Sequence, residues 1–118
     1  MGDWAGYLAL ATRLAAIDGE AELRSAVSRA YYSAYNDARR FVRGKDPMYS
    51  MGKDEDHWKV WEWFASQPGQ APQVGTLGQA LRKTRNLADY RSLGNYKSEA
   101  AAAVTKAKRI LDLIESFA

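Results

Sequence analysis

Cysteine is absent from the 118 residues. That excludes a disulfide framework, a thiolate nucleophile and any cysteine-held metal. Histidine occurs once, at His57, so no histidine cluster can form, and no carboxylate pair has convincing metal spacing. Sustained apolar/polar alternation with β-branched residues is missing, so strands are not expected. No apolar run approaches the length that spans a bilayer. The opening Met-Gly-Asp-Trp lacks the basic region and apolar block of a signal peptide. No phosphate-cradling glycine loop and no serine in a nucleophile elbow are found. Metal hydrolysis, serine or cysteine catalysis and dinucleotide binding are therefore poorly supported. The expectation is a soluble, cytoplasmic protein without metal or cofactor.

Helical periodicity is abundant instead. A length of 118 residues fits a single domain, 1–118, and an apolar share of 47% is enough for one core. Trp4, Leu8, Ala11 and Leu14 mark a first helix ending near Asp18-Gly19. Leu23, Val27, Ala30, Tyr31, Ala34, Ala38, Phe41 and Val42 mark a long second helix ending near Gly44. Trp58, Trp61 and Phe64 mark a short third, with Asp54 as candidate N-cap and the acidic run Asp54-Glu55-Asp56 complementing its positive end. Thr76 and Gln79 have capping-box spacing and open a fourth helix that stops near Arg91 to Gly94. The fifth runs from about Ser98 to the end, with Val104, Ala107, Ile110, Leu111, Ile114 and Phe117 on one side. Residues 44–56 and 66–75 read as loops from their glycine and proline content. The expected architecture is an all-α, up-and-down bundle of about five helices around an antiparallel core of long ones.

The net charge of +3 is unevenly placed. Residues 19–46 carry six Lys/Arg against four Asp/Glu, residues 47–70 two against four, and residues 71–98 five against one. Local basic excess of this kind suits a phosphate backbone or an acidic partner. In the fourth helix, Arg82, Arg85, Asn86 and Asp89 recur at spacings of three and four and share a face, while Leu77, Leu81, Thr84 and Ala88 form an opposite, core-like stripe. Such a face can grip an anion or meet another chain. It can equally be a solvated surface tied by an Arg85–Asp89 pair, which contributes only a few tenths of a kcal/mol.

In the second helix Arg29, Tyr32, Asn36 and Arg40 form another polar-aromatic stripe, with Tyr31, Tyr35 and Ala38 to one side. Tyrosine buries a ring and keeps a hydroxyl for a partner, so this cluster fits a core edge or subunit interface as well as a base-stacking surface. Trp58 and Trp61 are expected in the core. Trp63 is expected at an interface or on the exposed side.

Two segments together resemble a known family. The second helix reads Arg24-Ser-Ala-Val-Ser-Arg29-Ala-Tyr31-Tyr32-Ser-Ala-Tyr35-Asn36-Asp-Ala-Arg39, and the fourth reads Leu81-Arg82-Lys-Thr-Arg85-Asn86-Leu-Ala-Asp89-Tyr90. A basic-Ala-Tyr-Tyr helix followed about fifty residues later by Arg-Asn-x-Ala-Asp-Tyr resembles the HEPN domain superfamily, in particular its small stand-alone members. The resemblance spans nearly the whole chain through the helix order and the alanine-rich last helix.

It implies a helical bundle that homodimerises and lines a shared cleft with arginine-bearing helices. In catalytic members that cleft cuts RNA without metal, in toxin–antitoxin or phage-defence settings, often beside a minimal nucleotidyltransferase. By position, Arg85 matches the motif arginine and Asn86 the polar residue beside it. The family's histidine four to six residues later is missing; Asp89, Tyr90 and Arg91 stand there. Metal-free cleavage needs a base for the 2′-hydroxyl and an acid for the leaving oxygen, and histidine suits both because it titrates near neutrality. Aspartate does not, and arginine can only stabilise the charged transition state.

The resemblance thus implies RNA or nucleotide binding through a dimer cleft by Arg82, Arg85, Asn86, Tyr90, Arg29, Tyr32 and Asn36, with weak or no ribonuclease activity. A metal-independent endoribonuclease remains open, with Arg85, Asn86 and Asp89 as its catalytic groups and His57 joining them only if folding brings it to the cleft. The alternative is a non-catalytic module that docks a nucleotidyltransferase partner.

Overall fold

The computed structural model describes residues 4–52, 57–90 and 95–117. The side chain of Tyr90 lies outside this description, as do Asp54, the rest of the 53–56 segment and Arg91. The described residues form five α-helices and no strand: α1 Trp4–Ala15, α2 Glu20–Lys45, α3 Trp58–Ala65, α4 Ala71–Tyr90 and α5 Tyr96–Phe117. None is long and apolar enough to cross a membrane.

Helix α2 is the axis of the bundle and touches the other four. Acidic Glu20 and Glu22 in its first turn and basic Arg43 and Lys45 in its last match the helix dipole. Its inward residues are small where helices come closest: Ala26, Ala30, Ala34 and Ala38 are fully buried. Ser33 Oγ donates to the Trp4 carbonyl at 2.5 Å, which sets the start of α1 beside the middle of α2 and makes the pair antiparallel. Arg24 bonds the Ala88 carbonyl and Arg85 bonds Tyr32, so α4 also runs against α2.

The remaining helices run with α2. Tyr31 meets His57 near the start of α3, and Phe41 stacks on Phe64 near its end. Arg24 meets Tyr96 at the start of α5, and Phe41 meets Phe117 at its end. The two longest helices, α2 and α5, are therefore parallel. The antiparallel relation expected of the long core helices holds only between each of them and α4.

Three sequence expectations change. Helix α4 begins at Ala71, five residues before Thr76, so Thr76 lies inside the helix and does not cap it. Pro72 sits in the first turn, where its missing N–H is harmless. Gly75 and Gly78 are packing positions: a Cβ at Gly75 would lie 2.8 Å from the Trp61 carbonyl oxygen, and one at Gly78 would lie 2.1 Å from the Trp61 ring. The tryptophans also exchange places. Helix α3 buries Val60, Trp61, Trp63 and Phe64, an arc that leaves Trp58 on the far side and 40% exposed. Trp63 is buried, and its Nε1 donates to Asp46 Oδ2 at 3.1 Å. Helix α5 starts at Tyr96, two residues early, and Asn95 Oδ1 accepts the Ser98 N–H at 3.0 Å as an N-cap.

Candidate functional site

The buried stripe of α4 is Ala71, Val74, Gly75, Gly78, Leu81 and Ala88. Arg85 falls on the same stripe, four residues after Leu81 and three before Ala88. It does not stand on a solvated face opposite the core, as spacing alone suggested; its side chain is only 18% exposed. Neighbouring helices decide which arc is buried, and α2 claims the arc that includes Arg85.

The guanidinium is held from several sides. Nη2 donates to Tyr32 Oη at 2.8 Å. Nε lies 2.8 Å from Asp89 Oδ2, but its N–H is not directed along that line, so the contact is ionic. Nη1 reaches Asn86 Oδ1 at 3.4 Å, a long contact. Its central carbon, Cζ, sits 5.1 Å from the Tyr32 ring centre and 5.8 Å from that of Tyr31, within cation–π range. The sequence-level expectation of an Arg85–Asp89 pair is met, in a setting drier than an open helix surface.

His57 reaches the same pair of tyrosines. It occupies the cap position before α3. Its ring stacks on Tyr35 at 3.9 Å between centres and meets the edge of Tyr32 at 6.0 Å. Its Nδ1 is 3.0 Å from Tyr31 Oη. Tyr31 Oη also accepts the Trp61 Nε1–H at 3.2 Å. Tyr31 donates to His57 Nδ1 when the ring proton is on Nε2 and accepts from it in the other tautomer. Burial pushes the Tyr31 phenol above the ordinary tyrosine range; the Trp61 bond and the charges of Arg82 and Arg85 oppose this, and Tyr35 adds to it. Tyr31 therefore stays a neutral phenol.

The second-helix residues lie next to this cluster. Arg29, Tyr32 and Asn36 line a concavity of about 320 Å³ together with Tyr7, Ser25 and Ser28. Tyr32 thus belongs both to the groove and to the Arg85 contact. The Asn36 amide donates to the Tyr32 carbonyl at 2.8 Å, which fixes its direction. Arg82 is half-buried and acts on Tyr31 through its charge. Arg40 does not join the stripe: it turns to Asp37, with contacts of 3.0 and 2.8 Å.

Three arginines were missed. Arg24 spans α2, α4 and α5 by bonding Glu20, the Ala88 carbonyl and the Tyr96 hydroxyl. Arg39 and Arg43 line a second concavity. The signal for these two was present, because 29, 32, 36, 39 and 43 continue a spacing of three and four. Among the described residues no group of three or more His, Cys, Asp or Glu could hold a metal ion.

Chemically, the site offers a mostly buried guanidinium, a neutral phenol hydrogen-bonded to an imidazole, and an open groove lined by a further arginine. An anion entering beside Arg85 must displace or share the Asp89 carboxylate. Comparison with protein-family models, curated proteins and solved structures finds no match.

Proposed function

We propose that this helical bundle binds RNA or a nucleotide in the manner of HEPN domains, with two subunits setting their α4 helices along one cleft, in a toxin–antitoxin or phage-defence setting. One observation carries the reading: Arg85 bonds Tyr32 at 2.8 Å, and Tyr32 lines the groove that holds Arg29 and Asn36. A phosphate in that groove meets the Arg29 guanidinium of α2, beside the Tyr32 ring, whose hydroxyl links the groove wall to Arg85 of α4.

Binding is favoured over cleavage for two reasons. Asp89 holds Arg85 by an ion pair where a catalytic member carries its histidine within reach of the arginine. The Tyr31 hydroxyl is engaged by both His57 and Trp61 and does not line the groove. The second reading is metal-independent cleavage with His57 in the missing role. Its support is the placement of His57 against Tyr31 and Tyr32, the same rings that Arg85 covers. Docking of a nucleotidyltransferase uses the same face, and binding of such a protein in place of RNA would favour it.

The test is incubation of the purified protein with mixed RNA in chelator, beside Arg85→Ala and His57→Ala. The expected outcome is salt-sensitive binding without cleavage, weakened about tenfold in Arg85→Ala, with the salt slope lower by about 0.7 for one lost phosphate contact. Cleavage that survives chelation and disappears in both variants establishes the second reading. An Arg85→Ala protein that binds RNA as before and changes only its oligomeric state removes the proposal.

A further inference from the structure

Helix α2 carries a second basic concavity that the proposed RNA site does not include. Arg39 and Arg43, one turn apart, line a cavity of about 420 Å³ with Tyr35, Tyr49, Pro47 and Met51. Two like charges at this spacing repel and weaken a helix by a few tenths of a kcal/mol. Arg40 and Arg24 are paired with Asp37 and Glu20. Arg39 and Arg43 have no ion-pair or hydrogen-bond partner among the described residues. Two guanidiniums that pair with no described residue, in a concavity and not on a convex surface, are an arrangement suited to an anion.

The cavity also has a position. Arg29, Tyr32, Asn36, Arg39 and Arg43 alternate in steps of three and four, so they form one stripe along α2. The first three line the groove next to Arg85, and the last two line the second cavity. From Arg29 to Arg43 is fourteen residues, about 21 Å at 1.5 Å per residue. A stacked single strand with a phosphate about every 3.4 Å covers that length with about six nucleotides, and a more extended one with fewer. Each cavity has a tyrosine on its wall with ring surface accessible, Tyr7 in the first and Tyr49 in the second. Unstacked bases need such recesses and ring faces; a duplex keeps its bases inside and would touch only the ridge between them.

We infer that the Arg39–Arg43 cavity is a second phosphate subsite for the same ligand, and that this ligand is a single-stranded RNA segment lying along α2 from Arg29 to Arg43. The inference rests on the RNA-binding reading of the Arg85 site and adds to it the strand form, the direction and the length of the bound segment.

The test uses fluorescein-labelled oligouridylates of two, four, six and ten nucleotides with the full chain, by anisotropy at low salt. Affinity is expected to rise steeply from two to six nucleotides and little beyond. In Arg39→Ala/Arg43→Ala the dinucleotide binds as in the unaltered protein, while the six-nucleotide strand loses about tenfold or more and its salt slope falls by about 1.4 for two phosphate contacts. Both arginines are at the surface, and circular dichroism verifies that the variant folds. If Arg85→Ala weakens the six-nucleotide strand and the double variant does not, the second subsite is wrong and the RNA-binding reading stands. If an equal length of duplex RNA binds as tightly as the single strand, the strand assignment is wrong. If no oligonucleotide binds the unaltered protein, both readings fail together.

Discussion

Helix α4 makes two seams of opposite chemistry. Against α3 it presents Gly75 and Gly78, and the Trp61 ring and backbone fill the space that side chains would occupy. Against α2 it exchanges arginines: Arg85 goes out to Tyr32, and Arg24 comes in to the Ala88 carbonyl. The first seam is dry and tolerates no added atoms. The second contains guanidiniums that sit at the edge of the core and keep polar groups next to solvent. A helix that must both build a core and hold a guanidinium at the core's edge can divide the work between its two neighbours in this way.

The two arginines of the polar seam also differ from each other. Arg24 bonds backbone near the C-terminal end of α4, where carbonyls lack helical partners and the dipole favours a cation. It further holds Tyr96 at the start of α5, by a bond of 2.7 Å and a ring contact at 5.1 Å. Arg85 bonds only side chains, and one of them, Tyr32, lines the groove. Partner type separates a staple from a presented group more clearly than exposure does, since the two side chains are 31% and 18% exposed.

The largest effect should come from breaking the dry seam. Gly78→Ala adds a Cβ that would lie 2.1 Å from the Trp61 ring. Alanine gains roughly 1 kcal/mol in helix propensity, but overpacking a buried ring costs about 1–3 kcal/mol and more when the ring cannot move. Trp61 cannot retreat easily because Tyr31 holds its Nε1. The expected result is a net loss of about 2 kcal/mol in urea unfolding. A variant as stable as the parent would show that the seam is looser than described.

The polar seam is expected to respond less and in two distinct ways. Arg24→Ala leaves the Ala88 carbonyl and the Tyr96 hydroxyl without their donor, which costs about 1 kcal/mol for groups that are only partly buried. RNA affinity measured below the unfolding transition should stay within about twofold, since Glu20, Ala88 and Tyr96, which Arg24 bonds, do not line the groove, whereas Tyr32, which Arg85 bonds, does. The reverse pattern, intact stability with lost affinity, would erase the distinction between staple and presented group.

Part of this division was readable in the sequence. The 3.6 periodicity of α2 and α5 marks both helices within a few residues, because long apolar stripes leave little choice. The first turn of α4 was hidden because Pro72, Gly75 and Gly78 are loop-like in composition, and only the approach of Trp61 reveals why glycine is needed inside a helix. The helical wheel grouped Arg85 with Asn86 and Asp89 correctly, yet could not say which arc α2 would cover. Trp58 and Trp63 were exchanged for the same reason. His57 is 25 residues or so from the tyrosines it touches, and no local pattern encodes that contact.

The smallest effect tests the hydrogen-bonded chain behind Arg85. Tyr31 is buried, and its phenol titrates above the ordinary value. The unfolded chain therefore releases this proton at about pH 10 while the folded chain still holds it. Stability contributed by the neutral phenol is complete below that pH and declines as pH rises further, because the unfolded state binds fewer protons. Between pH 9 and 10.5 the unaltered protein should lose somewhat under 1 kcal/mol from this group. Tyr31→Phe should start lower at neutral pH by about 1 kcal/mol, having lost the acceptor for Trp61 and the hydrogen-bond partner of His57, and should show a shallower alkaline decline. Tyr49, also raised chiefly by burial and then by Glu62 and Asp46, leaves a common background in both proteins. Equal alkaline slopes in the two would mean that Tyr31 gives up its proton as readily folded as unfolded, and the bond that aims His57 would lose its basis.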